Sequence, residues 1–130
     1  MAVGIASGQA NAILDALCRS VSYSDPAAFY VKLHTGDPGS AGTSNAATET
    51  TRQAATFGAA SGGSATTTAD LTWTNVAGSE TYSHISFWSA SSSGTFLGSD
   101  QLDTSRAVTA GDTFTIASGQ LTVTLSPLAA

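Results

Sequence analysis

Two histidines and one cysteine are the side chains of this sequence best suited to catalysis or metal binding. His34 stands three residues before Asp37, and a histidine beside a carboxylate can form half of a metal site or of a catalytic pair. His84 lies in a separate segment, and no Cys or further His cluster completes a ligand set. The plainer interpretation is that Asp37 sets an Asp-Pro-Gly turn and that His34 belongs to a strand at a wet edge.

Nucleophilic and phosphate chemistry have as little support. Serines are abundant, but no G-x-S-x-G elbow occurs between a strand and a helix, and the Gly-rich segments lack the Lys of a phosphate-binding loop. Cys18 is alone and lies on a predicted helix, which favours a buried thiol over a nucleophile. The sequence therefore predicts no enzyme, no catalytic residue, no cofactor and no metal ion.

Carbohydrate binding is the alternative that the residues support better. Tyr30, Tyr82 and Trp88 could form an aromatic platform on one sheet face, as in a receptor-binding or glycan-binding module. The competing interpretation, which we prefer, places Tyr82 and Trp88 under the chain's own loops or against a neighbouring subunit.

Composition limits the partners. Only 10% of residues are charged, against about 25% in an average domain, so the surface must consist largely of small residues and hydroxyls that can pack against protein at little desolvation cost. A net charge of −5 gives no basic footprint for nucleic acid. The first residues carry no positive charge and no window is apolar enough to span a bilayer. We expect synthesis in the cytoplasm, without a signal peptide or membrane association.

One amphipathic helix is predicted over residues 7–20, with Ser7 available as its N-cap. Its apolar positions recur at helical spacing, at Ala10, Ile13, Leu14, Leu17, Cys18 and Val21. A helix of this length is not stable alone in water, so its apolar side must dock either on the chain's own sheet or on a neighbouring subunit.

The rest of the chain has the alternating pattern of strands, from Phe29–His34 to a final stretch ending at Leu125. Residues 58–68 are predicted to form a linker. Seven or eight short strands without βαβ alternation predict a mainly β fold, an antiparallel β-sandwich of jelly-roll or immunoglobulin-like type over residues 29–125, in a single domain of 1–130. The predicted core residues are Ile85, Phe87, Phe114, Ile116, Val123 and Leu125.

The segment 81–88 is the predicted central strand. Alternation places Ile85 and Phe87 on one face and Tyr82, His84, Ser86 and Trp88 on the other. Aromatic side chains on both faces indicate that the second face is also covered, by a loop, by the N-terminal helix or by another subunit.

Four stretches of the sequence resemble a family of small virion proteins from tailed bacteriophages that infect actinobacteria. The stretches are Val31-Lys32-Leu33-His34-Thr35-Gly36-Asp37-Pro38-Gly39, Thr51-Arg52-Gln53-Ala54-Ala55-Thr56-Phe57, Thr81 to Trp88, and Val108 to Ile116. Such proteins are described as tail-fibre, minor tail or head-decoration proteins. The resemblance implies a structural part on the outside of the virion, made in the host cytoplasm, and it carries no catalytic residue over.

We therefore expect a self-associating virion protein, with a trimer as one form it could take, that attaches to the major capsid protein or to tail proteins. The expected assembly contacts are Ile13, Leu14 and Leu17 on the helix, and Tyr82 and Trp88 on the central strand.

Overall fold

An antiparallel five-stranded sheet is the largest element of the protein, in the order β1-β7-β6-β2-β3. A computed structural model describes residues 3–125. Two small antiparallel sheets, β4-β9 and β5-β8, form the second layer. The elements are β1 (Gly4–Ile5), α1 (Ser7–Arg19), β2 (Tyr30–His34), β3 (Gln53–Ala54), β4 (Ser64–Thr66), β5 (Leu71–Trp73), β6 (Glu80–Trp88), β7 (Phe96–Val108), β8 (Phe114–Ile116) and β9 (Thr122–Thr124).

The core lies between the large sheet and the two small ones, so the predicted β-sandwich with one N-terminal helix is confirmed. The large sheet contributes Val31, Leu33, Ile85, Phe87 and Leu97, and the small sheets contribute Leu71, Trp73, Phe114 and Ile116. These strands alternate apolar and hydroxyl side chains, which gives each one a single buried face. Within residues 3–125, no helix has the length and hydropathy needed to span a bilayer.

β6 is the central strand, as predicted, because it pairs with β2 on one side and with β7 on the other. Its register with β7 shifts sharply between two pairs, Tyr82 with Arg106 and His84 with Gln101. Between these pairs β6 has only Ser83, whereas β7 continues through residues 102–105. Such a bulge bends the strand that carries the extra residues, here β7, and increases the local twist of the pair. Tyr82 consequently joins the core beside Phe114, with ring centroids 5.2 Å apart, and the prediction that it shares a face with His84 is wrong.

Several strands differ from the sequence prediction. The predicted linker 58–68 contains β4, whose Ser-Ala-Thr sequence carries no alternating apolar signal. Residues 96–108 form one long strand, β7, and Gly4 and Ile5 form an unpredicted edge strand. The Ser118-Gly119 turn separates β8 from β9, which belong to different sheets.

The predicted core residues are mostly confirmed. Ile85, Phe87, Phe114 and Ile116 are buried, and Val123 is half-buried against the core. Leu125 is exposed, so its assignment to the core is wrong. It lies just past the last β4–β9 pair, where the strand has left the covered part of the sheet.

Two carboxylates fasten the loop that precedes β3. Glu80 accepts hydrogen bonds from the backbone N–H of Thr48, at 2.8 and 3.1 Å, and from that of Glu49. Glu49 in turn accepts from the N–H of Ala77 and of Thr51. Charged acceptors make the stronger class of hydrogen bond.

Burial, followed by the nearby charges of Glu80 and Glu49, raises the pKa of Tyr82 to about 12.

Candidate assembly surface

The helix α1 begins after the edge strand β1 and is held at its start by backbone bonds alone. Its N-cap residue is Ala6, whose N–H donates to the carbonyl of Leu97, and no side chain caps the first turn. The expectation that Ser7 caps the helix is therefore wrong. Ser20 ends the helix in the left-handed conformation, with φ of 59°, which small polar residues adopt more readily than branched ones.

None of the residues of α1 is buried. The exposed fractions of Leu14 and Leu17 are 54% and 79%, and that of Val21, just beyond the helix, is 46%. Ile13 is half-buried. The helix contacts the sandwich mainly at β7. A 13-residue helix that buries so little of its apolar side gains little stability from its own domain.

The apolar residues on one side of the helix form one line, which we call the α1 stripe: Ala10 and Ile13, which are half-buried, and Leu14 and Leu17, which are exposed. The steps from Ala10 to Leu14 and from Leu14 to Leu17 are four and three residues, which is the spacing of a helix that packs along another helix. No charged residue interrupts the stripe. The polar side instead carries an exposed ion pair between Asp15 and Arg19, at 3.1 Å.

Cys18 lies beside the α1 stripe and is exposed. The sequence predicted a buried thiol, on the assumption that the apolar side of the helix packs on the chain's own sheet. That assumption fails, and the thiol is exposed for the same reason as Leu17.

The second face of the large sheet is the other surface singled out by the sequence. Pairing in register brings together Tyr30 with Trp88, Lys32 with Ser86, and His34 with His84. The loop 35–46 covers this face: Pro38 and Gly42 are buried, and a Cβ on Gly42 would lie 2.4 Å from the Phe96 ring. The predicted cover is thus a loop of the same chain, and the suggestion that α1 provides it is wrong.

A chain of hydrogen bonds ties this loop to the sheet. His34 Nδ1 lies 2.8 Å from the Ser44 carbonyl, which can only accept, so this nitrogen carries the proton. His34 Nε2 then accepts from the Ser86 hydroxyl at 2.7 Å, and Ser86 accepts from Trp88 Nε1–H at 2.7 Å. In this arrangement the imidazole is neutral, and its Nε2 is the acceptor for the Ser86 hydroxyl proton. Burial, together with the nearby Lys32 and His84, lowers the pKa of His34 although its bonds to the loop backbone oppose the shift.

Trp88 is enclosed by its own chain. The Phe96 ring packs against it with centroids 5.4 Å apart, and the Arg52 guanidinium lies 4.4 Å from its ring centroid. Arg52 also donates to the carbonyls of Ala90 and Ser93, which fixes it in place. Because Trp88 is nearly buried and Tyr82 is wholly buried in the core, these rings do not form the exposed aromatic platform that glycan binding at this face requires.

The histidine and carboxylate of the first motif do not meet. Asp37 Oδ1 accepts from the N–H of Gly39 and so shapes the turn, as expected, whereas His34 is fully buried and not at a wet edge. The error has a simple cause, since β2 lies inside the sheet between β6 and β3. In residues 3–125, no three His, Cys, Asp or Glu side chains are grouped as metal ligands.

Of the five expected assembly contacts, the structure brings Ile13, Leu14 and Leu17 together on the α1 stripe and places Tyr82 and Trp88 inside the chain's own packing. Val21 and Tyr23 are exposed apolar residues beyond these five. Their signal in the sequence is the alternation of apolar residues with serines directly after the helix.

Comparison with protein families gives one match. The model of the family described as "Podophage GP4 fiber I protein gp80" matches residues 4–124, which include α1 and the nine strands found within residues 3–125. A search of curated proteins finds no significant match.

Proposed function

The chain belongs to the podophage fibre I protein family gp80, a family of phage fibre proteins, and we propose that it is a non-enzymatic structural subunit of a tail fibre that self-associates through the α1 stripe. The sequence left capsid, minor tail and fibre positions open, and the family supports the fibre position. Other virion proteins would hold the fibre on the particle.

The exposure of the α1 stripe carries this proposal. Leu14 and Leu17 are large apolar side chains on a helix that its own domain leaves uncovered. Burial of a leucine side chain yields roughly 1.5–3 kcal/mol relative to exposure. A second copy offers a matching face, because the heptad-like spacing lets identical helices interdigitate and no charge on the stripe repels its counterpart.

The neutral surface supports the same proposal. With a net charge of −5 but few charged residues in total, the subunits carry little charge that contact would desolvate. A cyclic arrangement such as a trimer would place three stripes around one axis, where they could cover one another.

The molar mass in solution tests the proposal. We expect the wild-type chain to form a defined oligomer by light scattering, and the double variant Leu14→Gln, Leu17→Gln to be monomeric at the same concentration. Asn11→Gln, on an exposed position of the same helix, is the matched control and should leave the mass unchanged. Circular dichroism shows whether the variants stay folded.

If the wild-type chain stays monomeric at high concentration, the proposal of self-association is wrong. Attachment to the virion needs its own assay, in which purified protein is added to particles that lack it. Saturable binding supports the fibre role, and absence of binding by the oligomer contradicts it.

A further inference from the structure

A cleft opens where the two layers of the sandwich diverge. It lies between the β1–β7 edge of the large sheet and β9 of the second layer, and its volume is about 390 Å³. Apolar side chains dominate its wall, namely Ile5, Phe29, Phe87, Leu97 and Val123. Core residues such as Phe87 and Leu97 thus reach the wall of an open groove.

The backbone of β9 borders this cleft with an open edge. Leu125 donates its N–H to Gly63, and Leu121 accepts from Thr67, so these odd-numbered residues face the β4 side. Because antiparallel strands alternate the direction of their backbone groups, Thr122 and Thr124 direct theirs to the other edge. Among the strands of residues 3–125, β9 pairs with β4 alone. Such an edge accepts a further strand.

A single carboxyl group lines the cleft. Asp100 lies on β7 opposite Ile85, and burial, with the nearby Asp103, raises the pKa of this carboxyl although a hydrogen bond from Gln101 and the nearby His84 act against the shift. An added cation would offset the cost of burying the charge. The cleft therefore suits an extended, alternately apolar peptide that carries a basic residue.

The segment that follows α1 has this chemistry. Residues 20–24 read Ser-Val-Ser-Tyr-Ser, and they are neither helix nor strand. Val21 and Tyr23 are exposed and would share one side of a strand. Arg19 comes directly before this segment. Its ion pair with Asp15 is exposed, and exposed ion pairs contribute little to stability. The Tyr23 hydroxyl donates an exposed hydrogen bond to the side chain of Gln9, and this bond would break when the segment forms a strand.

We propose that residues 20–24 of one copy pair as a short strand with the open edge of β9 in a neighbouring copy, placing Val21 and Tyr23 in the cleft and Arg19 near Asp100. This proposal rests on the self-association proposed above and specifies its second contact. Each copy then gives a strand to one neighbour and receives one from the other, a head-to-tail contact that forms a ring where the rotation between subunits closes and a filament where it does not.

Engineered disulfides test the contact. In this pairing Ser22 lies on the same side as Thr122 and Thr124, at the short distance that a disulfide can bridge. In a Cys18→Ser background, Ser22→Cys protein is mixed with a Thr122→Cys or Thr124→Cys protein carrying a tag of different size. Thr104→Cys, an exposed threonine on β7, is the matched control.

We expect mixed disulfide dimers on a non-reducing gel in at least about tenfold higher yield with one of the β9 cysteines than with the control, and a lower yield when Asp100→Asn is added. Equal yields would overturn the proposal. A Ser22→Cys, Thr124→Cys double variant that cross-links within one chain at high dilution would also overturn it, since the segment would then occupy its own cleft. The light-scattering mass separates the two proposals. If the protein is an oligomer but forms no mixed disulfide, self-association through the α1 stripe still stands and the contact proposed here is wrong.

Discussion

His34 is the residue whose protonation the fold controls most directly. The imidazole accepts from Ser86 and donates to the loop carbonyl of Ser44, so a second proton would remove the acceptor of the Ser86 hydroxyl proton. The folded state therefore prefers the neutral ring, and its pKa lies below the ordinary value of 6.5. The nearby Lys32 and His84 also lower the pKa of His34.

The pH dependence of stability follows with a definite sign. At about pH 8, well above the unfolded pKa of about 6.5, the ring is neutral in both states and the stabilisation is fully present. As the pH falls through that pKa the unfolded chain takes up a proton first, so the free energy of unfolding decreases, by about 1.4 kcal/mol for each unit separating the two pKa values. Urea denaturation from about pH 8 to about pH 5 should show this decrease in the wild type.

His34→Gln provides the comparison. The variant should be less stable at neutral pH by about 1–3 kcal/mol, because a buried hydrogen-bond chain is disturbed. The difference between wild type and variant should shrink as the pH falls. Asp100, whose raised pKa acts with opposite sign at lower pH, is present in both proteins and cancels. A constant difference across the range would contradict the assigned role of His34.

Gly42 is the second residue with a testable role. Its φ is +74°, and a Cβ there would lie 2.4 Å from Phe96 Cδ1. Gly62 has a similar φ of +59° but open space around the Cβ position, so Gly62→Ala measures the conformational cost alone. We expect Gly62→Ala to cost about 1 kcal/mol and Gly42→Ala about 1–3 kcal/mol more. Equal losses of unfolding free energy would show that the loop does not pack tightly on Phe96.

At the scale of elements, loops and not the helix complete the large sheet. Residues 35–46 cover its second face, and Glu80 fastens the segment around Thr48 to the start of β6. Glu80→Gln keeps an acceptor oxygen but loses the charge, whereas Glu80→Ala removes the acceptor altogether. We expect losses of about 1 and about 2–3 kcal/mol in urea denaturation. An alanine variant as stable as the glutamine variant would argue against this fastening.

Alternation of apolar and hydroxyl residues was sufficient to predict β5, β8 and β9, because each of these strands buries one face against the core. The run of strand-favouring residues was sufficient to predict β6, both of whose faces are covered. Alternation failed where the burial pattern is set by something non-local. Tyr82 lies in the core because β7 supplies extra residues opposite Ser83, and that bulge leaves no trace in the sequence of β6. β4 was missed because Ser64, Ala65 and Thr66 have no apolar alternation.

The candidate surface shows the same limit. The α1 stripe is readable from the spacing of Leu14 and Leu17, but amphipathicity does not say which body a helix packs against. Only the fold shows that the loop 35–46 already covers the face that the helix was expected to cover. The hydroxyl-rich sequence of that loop gave no sign of its buried positions.

For the whole molecule, charge contributes little to cohesion. The ion pair found within residues 3–125 joins Asp15 and Arg19 on the exposed helix, outside the sandwich. With a net charge of −5, mutual repulsion is the main electrostatic term, and salt screens it. Raising NaCl from about 0.05 to about 0.5 M should leave the free energy of unfolding unchanged or raise it by up to about 0.5 kcal/mol. A marked decrease in thermal scans would reveal stabilising ion pairs.

In the proposed fibre, tension on the subunit would pass through the two attachments of α1. On one side the helix continues from β1, which is held by the pairs Gly4–Ser99 and Ile5–Gly98. On the other side it runs covalently into β2, which forms five residue pairs with β6. A load applied at α1 therefore peels β1 first and then reaches the middle of the large sheet. In single-molecule pulling through a handle on the exposed Cys18, we expect a small early extension as β1 detaches, followed by rupture of the sandwich. A single rupture event would contradict this order.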